Sequence, residues 1–156
     1  MTTGKYPIAI AAAFIWIGFV CAISFMEAWL KFRAPGVSMS IGIGIGRLVF
    51  SALNKVEWVM ILFITINFLL KKEFISGGTS LLFAILLLLL ILQTFWLLPA
   101  LDERAELQII SRVVVTSNLH FYYVGMEVIK VTLLAIFGIL LLKKNQYEIR
   151  GNYKGY

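Results

Sequence analysis

The chain has 156 residues, of which 61% are hydrophobic and 14% are charged, and its formal net charge at pH 7 is +6. Soluble domains carry about 25% charged residues, so this composition excludes a soluble domain and predicts an integral membrane protein. A single cysteine, Cys21, excludes a disulfide framework within the chain and a cysteine-based zinc site. In a membrane protein the positive charge indicates orientation and contact with anionic membrane lipids, and we predict no nucleic-acid partner.

Four apolar runs follow one another along the chain, and each reaches the roughly 20 residues that a membrane span requires. The predicted spans cover about residues 8–30, 47–70, 79–98 and 113–142. Pro7 suits the first turn of the first helix, whereas Pro99 is predicted to end the third. The predicted fold class is therefore all-α, a four-transmembrane-helix antiparallel bundle that forms a single domain over residues 1–156.

The connection between the first two spans is APGVSMSIGIGIG, residues 34–46, which is rich in glycine and serine and carries no charge. We predict that it lies in the membrane interface or forms a short re-entrant element. Its alternating glycines do not make a dinucleotide-binding loop, because no βαβ unit is present to hold a pyrophosphate.

The distribution of lysine and arginine predicts the orientation of the spans. The side that holds the N-terminus, the second loop and the C-terminal tail has seven basic residues, which are Lys5, Lys71, Lys72, Lys143, Lys144, Arg150 and Lys154. The opposite side has five, which are Lys31, Arg33, Arg47, Arg104 and Arg112. The positive-inside rule therefore favours a multi-pass protein of the cell (inner) membrane with both termini in the cytoplasm.

Polar residues interrupt the second and fourth spans, and in each span their spacing places them on one helical face. These two stripes are Arg47, Ser51, Asn54 and Glu57 in the second span, and His120, Tyr123, Glu127 and Lys130 in the fourth. The first span adds Glu27, four residues before Lys31, and Lys55 is predicted to point away from the stripe of the second span. The third span offers only Gln93 and is predicted to be more peripheral than the other three.

The two stripes can face each other at matching depths. If the outer boundary of the membrane lies near Arg47 and His120, then Glu57 and Lys130 both lie roughly 15 Å deep. The stripes then match in three groups, which are Glu57 with Lys130, Asn54 with Glu127, and His120 with Arg47 and Glu27.

An ionisable residue at mid-membrane costs on the order of 2.5–3.5 kcal/mol on insertion scales. The stripes either form a polar clamp that fixes helix register, or they line an outer-facing cavity that binds or translocates a proton, a cation or a small polar ligand. In the second case Glu57 and Glu127 titrate, and Lys130 and Arg47 set their charge state. A third interpretation is a structural subunit, whose stripes dock a partner's helices or another copy of the chain. The candidate ligand-binding or ion-pathway residues are Glu27, Arg47, Asn54, Glu57, His120, Tyr123, Glu127 and Lys130.

Other chemistry is only weakly indicated. A divalent ion could use His120 with Glu27, Glu57 and Glu127, although no Glu-x-x-His spacing supports a metal site. No catalytic triad, phosphate loop or haem motif is visible, so the cofactor is unknown and enzymatic activity stays open. In the stretch LPALDERAELQ, Asp102 and Glu106 either pair with Arg33 or Arg104 across the outer mouth or belong to a solvated helix extension, and we predict the helix extension. Most members of one aromatic set are predicted to be interface anchors, and the set comprises Trp16, Trp29, Trp58, Trp96, Tyr6, Tyr122 and Tyr123.

Four segments carry a resemblance that covers most of the chain, namely FMEAWLKFRAPG, GRLVFSALNKVE, LLPALDERAE and SNLHFYYVGMEVIK. They resemble a family of uncharacterised four-span membrane proteins that includes a human protein associated with cisplatin resistance. The resemblance implies the four-span fold and carries no established activity.

A narrower resemblance concerns Arg47, Asn54 and Glu57 in the second span. Their pattern is similar to a motif of the MAPEG superfamily, small trimeric four-helix membrane enzymes of eicosanoid and glutathione metabolism. The resemblance implies that these three residues contact glutathione between subunits and that Arg47 stabilises a thiolate. The chain departs from that family in lacking its arginine-rich region between the third and fourth spans.

Overall fold

The computed structural model describes residues 5–71, 77–111 and 118–153, and within these ranges the chain is all-α without a strand. Helix α1 spans Pro7–Arg33 and α2 spans Met39–Leu70. Helix α3 comprises Gly78–Leu92, a π-helical segment Gln93–Leu97 and Leu98–Ser111. Helix α4 spans Leu119–Tyr153. All four are long and apolar enough to cross a membrane, so the all-α class is confirmed.

The predicted interfacial connection is wrong at its C-terminal end, because α2 already begins at Met39. The Ser38 hydroxyl accepts a hydrogen bond from the backbone N–H of Ile41 at 3.3 Å. This side chain satisfies one of the donors that have no partner in the first turn of a helix. The serine cap therefore starts the helix about two turns before the charged stretch.

The helix predicted for LPALDERAELQ is present, and it continues the third helix through Pro99, where the third span was predicted to end, as far as Ser111. The π-helical segment Gln93–Leu97 lies directly before the proline, and the Leu98 N–H donates to the Gln93 carbonyl five residues back. A proline in a regular α-helix lacks the donor to the carbonyl four residues back and clashes with it. The wider π turn removes this conflict and lets the helix continue.

The fourth helix is longer than predicted at its C-terminal end, since it extends past Lys143 and Lys144 to Tyr153. Its predicted N-terminal turns, 113–117, lie outside the described residues. Near the other end the Asn145 side chain accepts a hydrogen bond from the backbone N–H of Lys5 at 2.6 Å. The first described residues therefore lie beside the turn of α4 that contains Asn145.

Consecutive helices contact each other in reversed residue order. The Ala9 N–H donates to the Asn67 side chain at 3.1 Å, whereas Trp16 contacts Glu57. Helices α3 and α4 also contact each other, through the hydrogen bond that Gln93 donates to Glu127. The order places the end of α1, the start of α2, the end of α3 and the start of α4 at one end of the molecule, which we call the cavity end.

The apolar core fills the half of the molecule opposite the cavity end. Small residues of α1, among them Ala9 and Ala13, are fully buried and allow close approach of the neighbouring helices. Phe68 contacts Phe83 and Phe137 edge to face, with ring centroids 5.8 and 6.3 Å away. Helix α3 has the smallest buried share of the four apolar segments, as expected for a more peripheral helix.

The glycine-rich start of α2 gives a matched test of packing. A Cβ atom on Gly42 would lie 2.1 Å from the Phe32 ring, whereas one on Gly44 would meet nothing within 4 Å. We expect Gly44→Ala to raise the free energy of unfolding by up to about 1 kcal/mol, because alanine favours helix over glycine. Gly42→Ala should lose this gain, because it displaces Phe32. Thermal melts in detergent check the difference, and equal melting temperatures for the two variants would contradict it.

Candidate functional site

Two acidic residues and one lysine meet inside the helix bundle. Lys130 donates hydrogen bonds to Oε1 of Glu57 and, at 2.9 Å, to Oε1 of Glu127. The exposed fractions of Glu57, Glu127 and Lys130 are 1%, 0% and 0%. We call these three residues the buried triad. Removing three ionisable groups from water so completely is costly unless they compensate one another.

Neutral donors from the other two helices complete the triad. The indole N–H of Trp16 in α1 donates to Oε1 of Glu57 at 2.9 Å. The side-chain amide of Gln93 in α3 donates to Oε1 of Glu127 at 2.6 Å. All four helices therefore meet at one level through hydrogen bonds to two carboxylates, and hydrogen bonds to charged groups are the stronger ones.

Local helix geometry explains how the triad forms. Glu127 and Lys130 are three residues apart on α4 and therefore lie on the same face. Gln93 is the first residue of the π-helical segment of α3, and the buried Ser24 lies in the π-helical segment Cys21–Glu27 of α1. Both irregular segments contribute buried polar side chains near the centre of the molecule, and π segments within helices are frequent at functional sites.

Several buried acceptors in and near the triad have no hydrogen-bond partner within the described part of the chain, namely Oε2 of Glu127, Oε1 of Gln93 and Oγ of Ser24. An unsatisfied buried polar group costs about 1–3 kcal/mol. A carboxyl group that gains a proton becomes a hydrogen-bond donor, and this holds for both carboxyl groups of the triad.

A cavity of about 1050 Å³ opens above the triad at the cavity end. All four helices line it, and its ionisable lining residues are Lys31, Arg47, Lys55, Asp102, Arg104 and His120. Its apolar wall includes Phe32, Met39, Ile43, Phe50, Leu98 and Leu101. The volume exceeds the range of about 300–1,000 Å³ that is typical of small-molecule pockets.

The floor of the cavity is a hydrogen-bonded layer centred on Thr94. Its hydroxyl accepts from the Asn54 amide at 2.9 Å and from the Trp58 indole at 3.0 Å, and it donates to the Leu90 carbonyl at 2.7 Å. Asn54 and Thr94 line the cavity, but no member of the buried triad does. This layer therefore separates the cavity from the triad, which lies about one helical turn deeper.

The mouth of the cavity is closed on one side by an ion pair between α2 and α3. Arg47 binds Asp102 through two parallel contacts, Nε to Oδ1 at 2.5 Å and Nη2 to Oδ2 at 2.8 Å. Glu106 lies 3.7 Å from Nη2 of the same arginine. This bidentate geometry fixes the ends of the two helices relative to each other. On the opposite wall, Lys31 pairs with Glu27 at 3.3 Å.

The structure brings together some of the residues in the two stripes and separates others. Glu57 meets Lys130, as their matching depths predicted. The predicted pairing of Asn54 with Glu127 is wrong, because Asn54 binds Thr94 and Glu127 binds Gln93.

At the mouth, the predicted group of His120, Arg47 and Glu27 does not form, because Arg47 binds Asp102 and Glu27 binds Lys31. His120 lines the same cavity as Arg47. The pairing of Asp102 and Glu106 with Arg33 or Arg104 is likewise replaced by pairing with Arg47.

Three further predicted positions have definite surroundings. Tyr123 is buried and packs against Phe50 with ring centroids 4.9 Å apart. Lys55 does not point away, since it lines the cavity with Arg47. The weak metal candidates are not gathered in one place, and the described residues contain no group of three or more His, Cys, Asp or Glu that could hold a metal ion.

Sequence reasoning missed the residues that join the stripes to their neighbours. Trp16 was expected at an interface, yet it is fully buried and binds Glu57. Thr94 was not among the predicted site residues, although its hydroxyl accepts hydrogen bonds from Asn54 and Trp58 in the cavity floor. The available signal was the adjacent pair Gln93 and Thr94, which are the first polar residues after an unbroken leucine-rich run.

The layer at Thr94 can be tested with an isosteric change. We expect Thr94→Val to lower the free energy of unfolding by about 1–3 kcal/mol, because it leaves buried donors of Asn54 and Trp58 without an acceptor. Thr132→Val is the matched control, since the exposed Thr132 hydroxyl bonds only the Val128 carbonyl of its own helix. Melting in detergent measures both, and equal losses would show that the layer does not hold α2 to α3.

Comparison of the chain with known protein families, with functionally described proteins and with solved structures gave no match. The two family resemblances stay predictions from the residues. The function is therefore inferred from the chemistry of the buried triad and the cavity.

Proposed function

We propose that the protein is a multi-pass membrane protein that binds a proton at the buried triad and exchanges it through the cavity. In this proposal the four helices form an antiparallel transmembrane bundle in the cell (inner) membrane, with both termini in the cytoplasm. The reversed order of contacts between consecutive helices supports the antiparallel arrangement. The adjacency of Lys5 and Asn145 supports a shared side for the two termini, and the excess of basic residues on that side supports its being cytoplasmic.

The observation that carries the proposal is the charge balance of the triad. Two carboxyl groups face one ammonium group, and all three residues are at most 1% exposed. With both carboxyls ionised the triad has a net negative charge, and an uncompensated charge in such surroundings costs several kcal/mol. One added proton makes the triad neutral. The triad is thus a natural site for one exchangeable proton, and ionisable groups within membrane spans commonly serve proton pathways.

A proton fits the triad better than a metal cation does. The Lys130 ammonium already occupies the position between the two carboxyl groups, through its contacts to Glu57 and Glu127. A metal ion would have to displace this ammonium and then lie next to its charge. A proton needs no such space, because it binds directly to a carboxyl oxygen of the pair.

Access to the triad is asymmetric. On the cavity side the layer of Asn54 and Thr94 and the buried Tyr123 intervene, and hydroxyl and amide groups can pass or bridge a proton with water. On the other side lies the apolar core, including Ile64, Leu134 and Phe137, all fully buried. This conformation supports exchange from the cavity side. Translocation across the membrane would require a second conformation that opens the apolar side.

A MAPEG-like enzyme is the second candidate. This candidate is supported by two residues of the MAPEG-like motif, Arg47 and Asn54, which line the same cavity. Glu57, the third residue of that motif, is instead buried against Lys130 and Trp16. A structural subunit is the remaining alternative, and in that case the triad serves only to fix helix register.

The test is whether the triad holds an exchangeable proton. Infrared difference spectra of the purified protein should show the carbonyl band of a protonated carboxyl group, which appears and disappears as the pH is changed. We expect Glu127→Gln and Glu57→Gln each to abolish the band. Glu103→Gln, which removes an exposed carboxylate of α3, should leave it unchanged. A band absent from the unchanged protein over the whole pH range in which it stays folded would refute proton binding.

Flux measurements separate binding from translocation. Protein in liposomes that contain a pH-sensitive dye should accelerate proton entry under an imposed membrane potential, and Glu127→Gln should remove the acceleration. If the infrared band titrates but the flux equals that of empty liposomes, the protein binds a proton without moving it.

A further inference from the structure

We infer that the cavity itself binds an acidic amphiphile, a molecule with an anionic head group and an acyl chain. The inference concerns the cavity and goes beyond the proton site, because it does not require the triad to titrate. Its basis is the combination of cationic and apolar surfaces in one enclosure that reaches from the mouth at Arg47 to the floor at Asn54.

The charge of the lining selects the head group. Four basic side chains line the cavity against a single acidic one, Asp102, and Arg47 is paired with both Asp102 and the neighbouring Glu106. Lys31 is balanced by Glu27. Lys55 is exposed and, among the described residues, has no acidic partner. An ammonium group of this kind attracts a carboxylate or a phosphate and repels a cation.

The depth and wall of the cavity select the rest of the ligand. Arg47 and Asn54 are seven residues apart on α2, so the cavity is roughly 10 Å deep along the helix axis. Phe50 provides apolar surface between these levels, and Phe32 and Ile43 extend this surface outward past Arg47. A small inorganic anion would leave this wall exposed to water, whereas an acyl chain would cover it.

Packing at the start of α2 shows how the apolar wall is formed. Gly42 and Gly46 lie four residues apart on one face, and Cβ atoms there would come within 2.1 Å of the Phe32 ring and 2.8 Å of Lys31 Nζ. The absence of side chains at these two positions lets Phe32 and Lys31 lie against α2. The glycines thus place an aromatic ring and a cation side by side on the cavity wall.

The experiment is binding by isothermal titration and native mass spectrometry, with full-length protein in uncharged detergent. The probes are oleoyl lysophosphatidic acid and oleate as acidic amphiphiles, oleoyl lysophosphatidylcholine as a zwitterion with the same chain, and inorganic phosphate as a head group without a chain. We expect the two acidic amphiphiles to bind at a ratio of one to one, at least tenfold more tightly than the zwitterion. Inorganic phosphate should not displace them.

Variants of cavity-lining residues test whether the probes bind in the cavity. Lys55→Gln should weaken binding of the acidic probes roughly tenfold, the order of loss expected for one charge-assisted contact. Ser51→Phe should fill part of the cavity and also weaken it. Lys71→Gln, which removes an exposed lysine at the other end of α2, is the matched control and should bind normally.

Each other outcome overturns the inference. Equal binding of the zwitterion indicates ordinary lipid contact, and competition by inorganic phosphate indicates a site for a small anion. Unchanged binding in both Lys55→Gln and Ser51→Phe places the probe elsewhere. None of these variants alters the triad, so the carboxyl infrared band should persist in them. If a variant loses probe binding but keeps the band, then the amphiphile site and the proton site are independent of each other.

Discussion

We expect Lys130→Met to lower the free energy of unfolding by about 3–5 kcal/mol, because it leaves two buried carboxyl groups without their cation. Lys130 is fully buried, and both Glu57 and Glu127 accept hydrogen bonds from it. Methionine preserves most of the volume, so the loss reports charge compensation more than packing. Unfolding by sodium dodecyl sulfate in mixed micelles, followed by circular dichroism, measures it. The matched control is Lys71→Met, a change of an exposed lysine that should cost little.

Neutralising the carboxyl groups as well should restore stability. In the triple variant Glu57→Gln, Glu127→Gln and Lys130→Met, no buried charge remains, and we expect most of the loss to be recovered. Glu57→Gln alone should cost less than Lys130→Met, because Lys130 keeps Glu127 at 2.9 Å. If the triple variant is no more stable than Lys130→Met, then the lysine stabilises the bundle through packing and the triad is not an electrostatic unit.

The second large effect concerns Trp16, the largest side chain that is fully buried. We expect Trp16→Ala to lower the free energy of unfolding by about 3–5 kcal/mol through loss of apolar contact and creation of a cavity. Trp16→Phe keeps most of the ring contact but removes the indole donor to Glu57. Its expected cost is about 1.5–3 kcal/mol, as for loss of a hydrogen bond to a charged group.

Trp96→Ala is the control for both tryptophan changes. Its side chain is 56% exposed, so truncation removes little buried surface and should change the melting temperature in detergent by a small amount only. Comparable losses for Trp16→Ala and Trp96→Ala would show that Trp16 is an ordinary surface tryptophan. A neutral Trp16→Phe would show that the indole hydrogen bond adds nothing to the triad.

Part of the candidate site could be predicted from helical periodicity. A spacing of three or four residues places side chains on one face whatever surrounds the helix. Depth along a helix follows from its rise of 1.5 Å per residue. These two rules were enough to pair Glu57 with Lys130 across helices 73 residues apart in sequence. They did not suffice for Asn54, because its partner depends on which neighbouring helix lies closest at that level.

The helix boundaries show a similar division. The long apolar runs predict four helices, because backbone groups in an apolar environment must bond within the helix. The sequence predicted a helix extension that includes Pro99, but it did not reveal the π-helical turn that joins this extension to the third helix. The start of α2 at Met39 depends on the Ser38 cap and on close packing of Phe32 over Gly42, which only the folded neighbours supply.

The sequence by itself determined the all-α class, the four apolar helices and the two polar stripes, because each of these follows from the order of residues along one helix. The tertiary structure decided which groups share the buried triad, and it brought Trp16 and Gln93 to its carboxyl groups. It also decided that Asp102 binds Arg47 and that Lys55 faces the cavity. These contacts depend on the relative rotation and closeness of separate helices. Those quantities arise from packing of the whole bundle, and no single stretch of sequence encodes them.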